Sequence, residues 1–113
     1  MKRGEVWLIN LDPTIGAEIK KSRPAIIVND DAIGILPLKV IVPVTEWKEH
    51  YAAAPWLVRL LPGGESGLEK PSAADAFQVR SVSQKRSIRR LGKLSDPALN
   101  AVTEALTVVL CIR

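Results

Sequence analysis

Apolar and polar residues alternate near the start of the chain in a pattern that predicts two β-strands. Residues 4–11, GEVWLINL, are rich in β-branched and aromatic side chains and are followed by Asp12 and Pro13, which stop a strand. Residues 24–28, PAIIV, form a short apolar run that ends in a polar turn. The segment between them is polar and is expected to be a flexible loop. Because Arg23 precedes a proline, its backbone is biased to an extended conformation, and its side chain should project from the start of the second strand.

Further apolar segments of similar composition predict four more strands. They are separated by glycine, proline or polar residues, as in folds built from short antiparallel strands. The predicted strands are 39–45, 56–61, 73–77 and 88–94, and the predicted connections between them include 30–37, 46–55 and 78–87. Pro43 lies inside the first of these strands. Because proline has no backbone N–H to donate, that strand is expected at a sheet edge or at a bulge.

The spacing of the apolar residues changes from two to about 3.6 after residue 94, which predicts one C-terminal helix. Ser95 is a suitable N-cap, with Asp96 and Pro97 in the first turn. The apolar positions of this helix are Leu99, Val102, Leu106, Val109 and Leu110. The order of elements therefore indicates a mainly β fold with a C-terminal helix, as a small barrel or coiled sheet packed by that helix.

The composition is that of one small globular domain, residues 1–113. The chain is 47% hydrophobic and 25% charged, and its length allows a single modest core. No apolar run is long enough to span a bilayer, and we expect no signal peptide because residues 1–4 lead into a strand. Cys111 is the only cysteine. An intrachain disulfide and a cluster of thiolate ligands are therefore excluded, and a reducing cytoplasm fits.

The net charge of +4 favours a polyanionic partner such as a nucleic acid, although many basic proteins bind none. His50 is the only histidine. One chain can therefore build neither a two-histidine nuclease site nor a His-x-x-His metal site. We expect no metal and no other cofactor.

The most specific pattern in the sequence lies in residues 4–28. It consists of Gly4-Glu5-Val6-Trp7, Leu11-Asp12-Pro13, Gly16, Glu18 and Arg23-Pro24-Ala25. These residues at these spacings resemble the MazF/PemK/Kid toxins, bacterial endoribonucleases that cut messenger RNA. The resemblance extends from Met1 to about Leu110. It implies an SH3-like β-barrel, usually a homodimer, that acts in the cytoplasm.

The reaction that the resemblance implies is a sequence-selective, metal-independent cleavage of single-stranded RNA. The ribose 2′-hydroxyl attacks the neighbouring phosphorus and leaves a 2′,3′-cyclic phosphate and a 5′-hydroxyl. Such a reaction needs one group that takes the 2′ proton and another that protonates the leaving oxygen. It also needs positive charge close to the phosphorane.

Three residues match the catalytic positions of the family. Arg23 matches the catalytic arginine, and its planar guanidinium suits phosphate oxygens. Thr45, at the end of the third predicted strand, matches a threonine whose hydroxyl can donate to a phosphate oxygen. Glu18 matches an acid five residues before the arginine and is the best available general base. Without the resemblance, a surface salt bridge for Arg23, a structural role for Thr45 and a solvated carboxylate for Glu18 remain open.

The segment Gln78-Val79-Arg80 falls where the family usually has Asp-Gln, an aliphatic residue, and Arg or Lys. We expect Gln78 to read base edges and Arg80 to hold phosphate. Phe77 stands where an aspartate is common. We expect its ring to fill the core, with stacking on an unpaired base as a second interpretation. The missing aspartate is expected to be dispensable; alternatively Asp75 replaces it, on the same face as residue 77 if the strand continues.

Residues 85–93 form the densest basic run, which is either a solvated surface or a track for the RNA backbone. The residues assigned to RNA binding, besides Gln78 and Arg80, are Lys20, Lys21, Lys85, Arg86 and Arg89. Among the tryptophans, Trp7 is expected in the core. Trp47, in a polar context, could face a ligand or a dimer interface, and Trp56 is ambiguous.

The protein partner that the resemblance implies is an acidic antitoxin of the MazE type, whose disordered tail folds onto the RNA groove. Two other functions remain open. One is a topoisomerase-inhibiting toxin of the CcdB type, which shares the fold. That group ends in Trp-Gly-Ile, whereas this chain ends in residues 110–113, LCIR. The other is a barrel that binds RNA without cutting it.

Overall fold

The computed structural model describes residues 1–34 and 37–112, which contain seven strands and one α-helix. The strands are β1 (Glu5–Asn10), β2 (Ser22–Ile27), β3 (Leu38–Glu46), β4 (Leu57–Leu60), β5 (Ser72–Asp75), β6 (Arg80–Ser83) and β7 (Ser87–Lys93). The helix α1 covers Asp96–Val109, and 3-10 turns lie at Glu49–Ala53, Gly64–Ser66, Ala76–Gln78 and Gln84–Arg86. Residues 35 and 36 of the predicted loop 30–37, and Arg113, lie outside the described residues. The predicted mainly β fold with a C-terminal helix is confirmed.

The strands form one antiparallel sheet in the order β4-β5-β3-β2-β1-β7, with β6 paired to β3 beside this path. Consecutive strands β1, β2 and β3 are neighbours, as expected for short antiparallel connections. In residues 1–34 and 37–112 no ladder joins β4 to β7. Strand pairing therefore does not show the closed barrel that the resemblance implies.

Strand β3 is central, so the prediction that its proline marks an edge or a bulge is wrong. On one side β3 pairs with β2, and on the other with β6 through Leu38–Ile41 and with β5 through Val44–Glu46. Pro43 lies in the gap between these last two pairings. Val28 N donates to Val40 O, so the backbone N–H and C=O of Val40 point towards β2. This direction alternates from residue to residue along a strand. The nitrogen of Pro43, three residues further on, therefore points away from β2 and into that gap. The missing N–H therefore removes no ladder bond.

Two of the differences from the predicted elements have a local cause. The fifth strand ends at Asp75 rather than at Phe77, because the Asp75 side chain accepts a hydrogen bond from Phe77 N (3.1 Å) and caps a 3-10 turn. Strand β6 lies within the segment that was predicted to be a connection. Its sequence, RSVS, contributes only Val82 to the core, so it shows no apolar alternation.

The sheet buries apolar side chains on both faces, in two clusters. The first cluster, against α1, contains Val6, Ile26, Val28, Val42, Val44, Leu60, Leu68, Ala74, Leu94 and Val102. The second contains Ile9, Leu11, Ala25, Ile27, Ile41 and Val82, with Met1, Trp7 and Ile19 packed against it. Neighbouring residues of a strand point to opposite faces, which is why Ile26 belongs to the first cluster and Ile27 to the second.

Helix α1 begins as predicted, with Ser95 as its N-cap. The Ser95 hydroxyl accepts a hydrogen bond from Ala98 N at 3.3 Å. Val102 is fully buried, and Leu106 packs against the first cluster. Leu110 follows the end of the helix and is 55% exposed, so the predicted apolar face ends before it. No helix in the described part of the chain is long and apolar enough to cross a membrane.

The two ends of the sheet meet through a turn rather than through a ladder. The turn Gly64–Ser66, which follows β4, packs against β7. A Cβ at Gly67 would lie 2.1 Å from Leu91 O, and a Cβ at Gly92 would lie 2.1 Å from Glu65 O. Because neither position has room for a methyl group, glycine at both allows this close contact between the sheet ends.

We expect Gly67→Ala to destabilise the fold more than Gly64→Ala. Both glycines have a positive φ, +74° and +59°, and this conformation costs an alanine about 1–2 kcal/mol. Nothing lies within 4 Å of a Cβ at Gly64, whereas the methyl group at Gly67 meets the backbone of β7. Overpacking should therefore add about 1–3 kcal/mol or more to the loss of unfolding free energy, measured by urea denaturation. Equal losses would show that this contact does not hold the sheet ends together.

Candidate functional site

Arg23 and Thr45 are brought to one face of the sheet by the register of β2 and β3. The last registered pair between these strands is Ala25 with Pro43. Arg23 and Thr45 each lie two residues beyond that pair, inside β2 and β3 respectively, so the extended register aligns them. Residues opposite each other in an antiparallel pair point to the same face. The predicted cation and hydroxyl therefore lie on the face that carries the second apolar cluster.

Arg23 is partly buried, and its Nε donates a long hydrogen bond (3.4 Å) to Lys20 O. The ion pairs of the described residues join Glu5 to the N-terminus and to Arg90, and Glu46 to Lys70. None of them includes Arg23, so the alternative of a structural salt bridge is not seen in residues 1–34 and 37–112. The guanidinium can instead accept an anionic ligand.

A cleft of about 580 Å³ opens beside Thr45. Its walls come from the loop between β1 and β2, the end of β3, the 3-10 turn that follows β3, the start of β4 and the end of β5. The polar side chains that line it are Thr45, His50, Tyr51, Asp75 and Gln78, and the largest apolar ones are Ile19, Trp56 and Leu57. Thr45 pairs with Ala73 of β5, so Asp75, two residues further along β5, lies on the same face as Thr45.

Gln78 connects the loop between β1 and β2 to the end of β5. Its Oε1 accepts a hydrogen bond from Ile19 N (2.6 Å), and its Nε2 donates to Asp75 Oδ2 (3.2 Å) and to Ala17 O (3.4 Å). Both ends of the amide are thus already bonded to protein atoms. In this arrangement Gln78 fixes the loop that leads to Arg23.

Asp75 is partly buried at the wall of the cleft. Burial raises the pKa of its carboxyl above the usual value of 3.8, although hydrogen bonds donated by Phe77 N and by Gln78 oppose the shift. A carboxyl with a raised pKa takes up a proton more readily than an ordinary aspartate. Asp75 is therefore suited to proton transfer in a way that its neighbours Thr45 and Gln78 are not.

Phe77 does not fill the core, and the expectation that it does is wrong. The strand ends at Asp75, and in the following 3-10 turn Ala76 is fully buried while Phe77 is 66% exposed. The Phe77 ring meets the Trp56 ring edge to face, with ring centroids 5.9 Å apart. A shared face for Asp75 and Phe77 is expected only if the strand continues, and this condition is not met because β5 ends at Asp75.

Glu18 is exposed on the loop between β1 and β2 and does not line the cleft. Its Oε1 accepts a hydrogen bond from Ile15 N (2.9 Å), and its backbone N donates to Ile15 O (3.2 Å). The carboxylate thus closes a turn within its own loop. Lys20 and Lys21 follow it and are exposed.

Some of the basic residues after β5 make contacts within the protein, and others do not. Arg80 donates to Leu11 O (3.2 Å), and Arg86 donates to the carbonyls of Asn10 and Asp12, so both hold the start of the β1–β2 loop. Arg90 pairs with Glu5 (3.4 Å). The exposed basic side chains of this run that form no hydrogen bond or ion pair with the described residues are Lys85, Arg89 and Lys93.

Tyr51 is the residue of the cleft that the sequence reasoning missed. It lies in the 3-10 turn after β3, where its ring meets His50 edge to face (4.7 Å) and Trp47 (5.9 Å). The signal available was two aromatic residues, Trp47 and Tyr51, in the predicted connection 46–55, which otherwise has a polar and small composition, and Trp56 directly after it. Trp47 stacks under the Arg59 guanidinium (5.4 Å), which indicates a packing role.

Comparison with known proteins finds similarity over almost the whole chain. Residues 2–110 match the family described as PemK-like, MazF-like toxin of type II toxin-antitoxin system. Endoribonuclease MazF9 of Mycobacterium tuberculosis is 34% identical, and the alignment covers 94% of this chain and 92% of that relative.

Solved structures show the same fold. A crystal structure of MazF from Deinococcus radiodurans has a TM-score of 0.82 at 24% sequence identity, covering 99% of this chain and 97% of that chain. A crystal structure of MazE-MazF from the same organism has a TM-score of 0.76 at 23% identity, covering 100% of this chain and 98% of the matched one. Both matches include the strands and the C-terminal helix.

Proposed function

This chain belongs to the PemK-like, MazF-like toxins of type II toxin-antitoxin systems, and we propose that it is an endoribonuclease that cuts single-stranded messenger RNA at selected sequences. A relative named as an endoribonuclease supports this proposal. The observation that carries it is that Arg23 and Thr45 lie on the same face of the sheet, with Thr45 lining the cleft. A cation and a hydroxyl on one face can together hold a phosphate group and stabilise added negative charge on it.

The proposed reaction is a transesterification followed by release of both products. The ribose 2′-oxygen attacks the adjacent phosphorus while its proton passes to a base. The P–O5′ bond then breaks and the leaving oxygen takes up a proton. The products are a 2′,3′-cyclic phosphate and a 5′-hydroxyl, so the proton lost at the 2′-oxygen balances the one gained at the leaving group. Arg23 stabilises the phosphorane, and Thr45 donates a hydrogen bond to it.

Two carboxylates compete for the role of general base. Glu18 is the one expected from the sequence, but its carboxylate is bonded to Ile15 N, outside the cleft. Asp75 lines the cleft together with Thr45, and a base with a raised pKa removes a proton more effectively. We therefore assign the proton transfer to Asp75, with Glu18 as the alternative.

We propose that the RNA backbone follows the exposed basic residues beside this face. These are Lys20 and Lys21 on the β1–β2 loop, and Lys85 after β6. Arg89 lies beside Leu8 and Pro24 on the other face of the sheet, and it is proposed to contact the strand where it passes the sheet edge at β7. Arg80 and Arg86 contribute the N–H groups that their contacts with the loop leave over. Contacts of this kind make RNA affinity fall as the salt concentration rises. Gln78, whose two amide N–H groups donate to Asp75 and Ala17, is proposed to accept a hydrogen bond from a base edge at its carbonyl oxygen.

The proposed protein partner is an acidic antitoxin of the MazE type. A MazE-MazF complex is among the solved structures with this fold, and the net charge of +4 on this chain favours an acidic partner. Its disordered tail is proposed to cover the RNA groove, on a toxin that works as a homodimer. Because the substrate is messenger RNA, the cytoplasm is the proposed site of action.

We expect the purified chain to cut a labelled single-stranded RNA in the presence of excess EDTA. The described residues include no group of three or more His, Cys, Asp or Glu side chains that could hold a metal ion. The proposed chemistry uses only Arg23, Thr45 and one carboxylate. The measurement is the yield of fragments, with their 2′,3′-cyclic phosphate and 5′-hydroxyl ends identified chemically.

Three results of this experiment, extended by an RNA-binding measurement, would contradict the proposal. Loss of cutting in EDTA, restored by magnesium, would replace the metal-independent mechanism. RNA binding without any cutting would leave a barrel that binds RNA only. A topoisomerase inhibitor of the CcdB type would show neither activity on RNA.

A further inference from the structure

Phe77 and Trp56 form an exposed aromatic pair at the rim of the cleft that the proposed chemistry does not use. Phe77 is 66% exposed and Trp56 is 37% exposed. Their rings meet at an interplanar angle of 90°, in an edge-to-face arrangement that is favourable for aromatic side chains. Two large rings that face water together indicate a surface that contacts a ligand.

Hydrogen bonds hold the backbone that carries both rings. Ala76 N donates to Trp56 O (2.9 Å), and Phe77 N donates to the carboxylate of Asp75 (3.1 Å). The fully buried Ala76 anchors the turn that presents Phe77. A ring held in this way loses little conformational entropy when a flat ligand stacks on it.

The aromatic pair adjoins the site proposed for cleavage. Trp56 lines the same cleft as Thr45 and Asp75, and the rings of Tyr51 and His50 line it as well. The cleft thus combines ring faces with a few hydrogen-bonding groups. An unpaired nucleobase has the matching chemistry, because it offers a flat face for stacking and a polar edge for hydrogen bonds.

We propose that Phe77 and Trp56 form a stacking platform for one unpaired base of the RNA, next to the phosphate held by Arg23 and Thr45. This inference rests on the proposed function, because the base belongs to the strand that is cut. A segment of a protein partner could also cover two exposed rings. The nucleobase is favoured because the pair continues into a cleft with a carboxylate and an amide rather than into an apolar groove.

The test compares flat and non-flat side chains at one position. The probe is a 2′-O-methyl single-stranded RNA, which binds but has no 2′-hydroxyl to react. Phe77→Leu keeps an apolar side chain but removes the ring, and should weaken binding roughly 5- to 150-fold. Phe77→Tyr keeps the ring and should bind within a few-fold of wild type. Leu61→Ala, which removes another exposed apolar side chain (69%) outside this cleft, should not change the affinity.

A second probe isolates the contribution of the base. It is a strand of the same length that carries abasic sugars, so that only the backbone remains. Wild type and Phe77→Leu should bind this strand equally, because the ring has nothing to stack on. If Phe77→Leu lost as much affinity for the abasic strand as for the strand with bases, the ring would not contact a base, and the proposal would be overturned.

The possible outcomes test the stacking platform and the endoribonuclease activity separately. A wild-type chain that cuts RNA while Phe77→Leu binds as tightly as wild type would overturn the platform and leave the pair as a protein-binding surface. A chain that binds RNA in the predicted pattern but does not cut it would overturn the endoribonuclease and keep the platform. A wild-type chain that binds neither strand would overturn both.

Discussion

Arg23→Ala should lower the rate of RNA cleavage by about 10³-fold or more, while RNA affinity stays within a few-fold of the wild-type value. Negative charge builds up on the phosphorane only in the transition state, so a guanidinium that faces it stabilises the transition state more than the bound substrate. The side chain is partly exposed and is part of no ion pair between described residues, so its removal should leave the fold intact. The rate is measured in single turnovers with excess protein, and affinity with an uncleavable strand.

Arg89→Ala provides the matched control for that change. Arg89 is also an exposed arginine, but it lies on β7 beside Leu8 and Pro24, on the face opposite to Arg23, and it is proposed to contact only the RNA backbone. Its removal should weaken binding and reduce the slope of log affinity against log salt by about 1, with little change in the rate of the bound complex. If Arg23→Ala cuts RNA at the normal rate, the active site lies elsewhere.

The strands with clear apolar alternation and the helix were predictable because their signals are local. β1 and the N-cap at Ser95 depend on residues that are close together in sequence. The central place of β3 depends on which strands meet it on either side, and no local signal reports that. Pro43 therefore predicts an edge or a bulge, although the gap between β5 and β6 accommodates it in a central strand.

The candidate site was predictable in its residues but not in its geometry. Arg23 and Thr45 were found through the family pattern, whereas their alignment follows from the register of two strands. The prediction for Phe77 is wrong because the Asp75 side chain accepts a hydrogen bond from Phe77 N, caps a turn and ends the strand. The alternation of apolar and polar residues gives no sign that a side chain will replace a backbone partner in this way. Likewise, the positive charge of a sequence segment does not reveal that the Arg86 guanidinium donates hydrogen bonds to backbone carbonyls at the start of the β1–β2 loop.

Asp75→Asn should lower the cleavage rate by about 10²- to 10⁴-fold, the usual contribution of a general acid or base. Glu18→Gln, the matched change at the other candidate, should stay within a few-fold of wild type, because Glu18 does not line the cleft. Asp75 also holds Gln78, so a lower rate alone would not separate proton transfer from positioning. The dependence of the rate on pH makes that separation, since only proton transfer by Asp75 ties the rate to the titration of its carboxyl.

The raised pKa of Asp75 predicts opposite effects of pH on activity and on stability. A general base must be ionised, so the cleavage rate of wild type should rise with pH as the Asp75 carboxyl loses its proton, and Asp75→Asn should lack this rise. Because folding raises the pKa, the protonated carboxyl contributes stability that is complete below the usual value of 3.8 and is lost as the pH rises through the folded value. Across that same range, the unfolding free energy of wild type should therefore fall relative to that of Asp75→Asn. A full rate with an unchanged pH profile in Asp75→Asn, together with a large loss in Glu18→Gln, would transfer the role of base to Glu18.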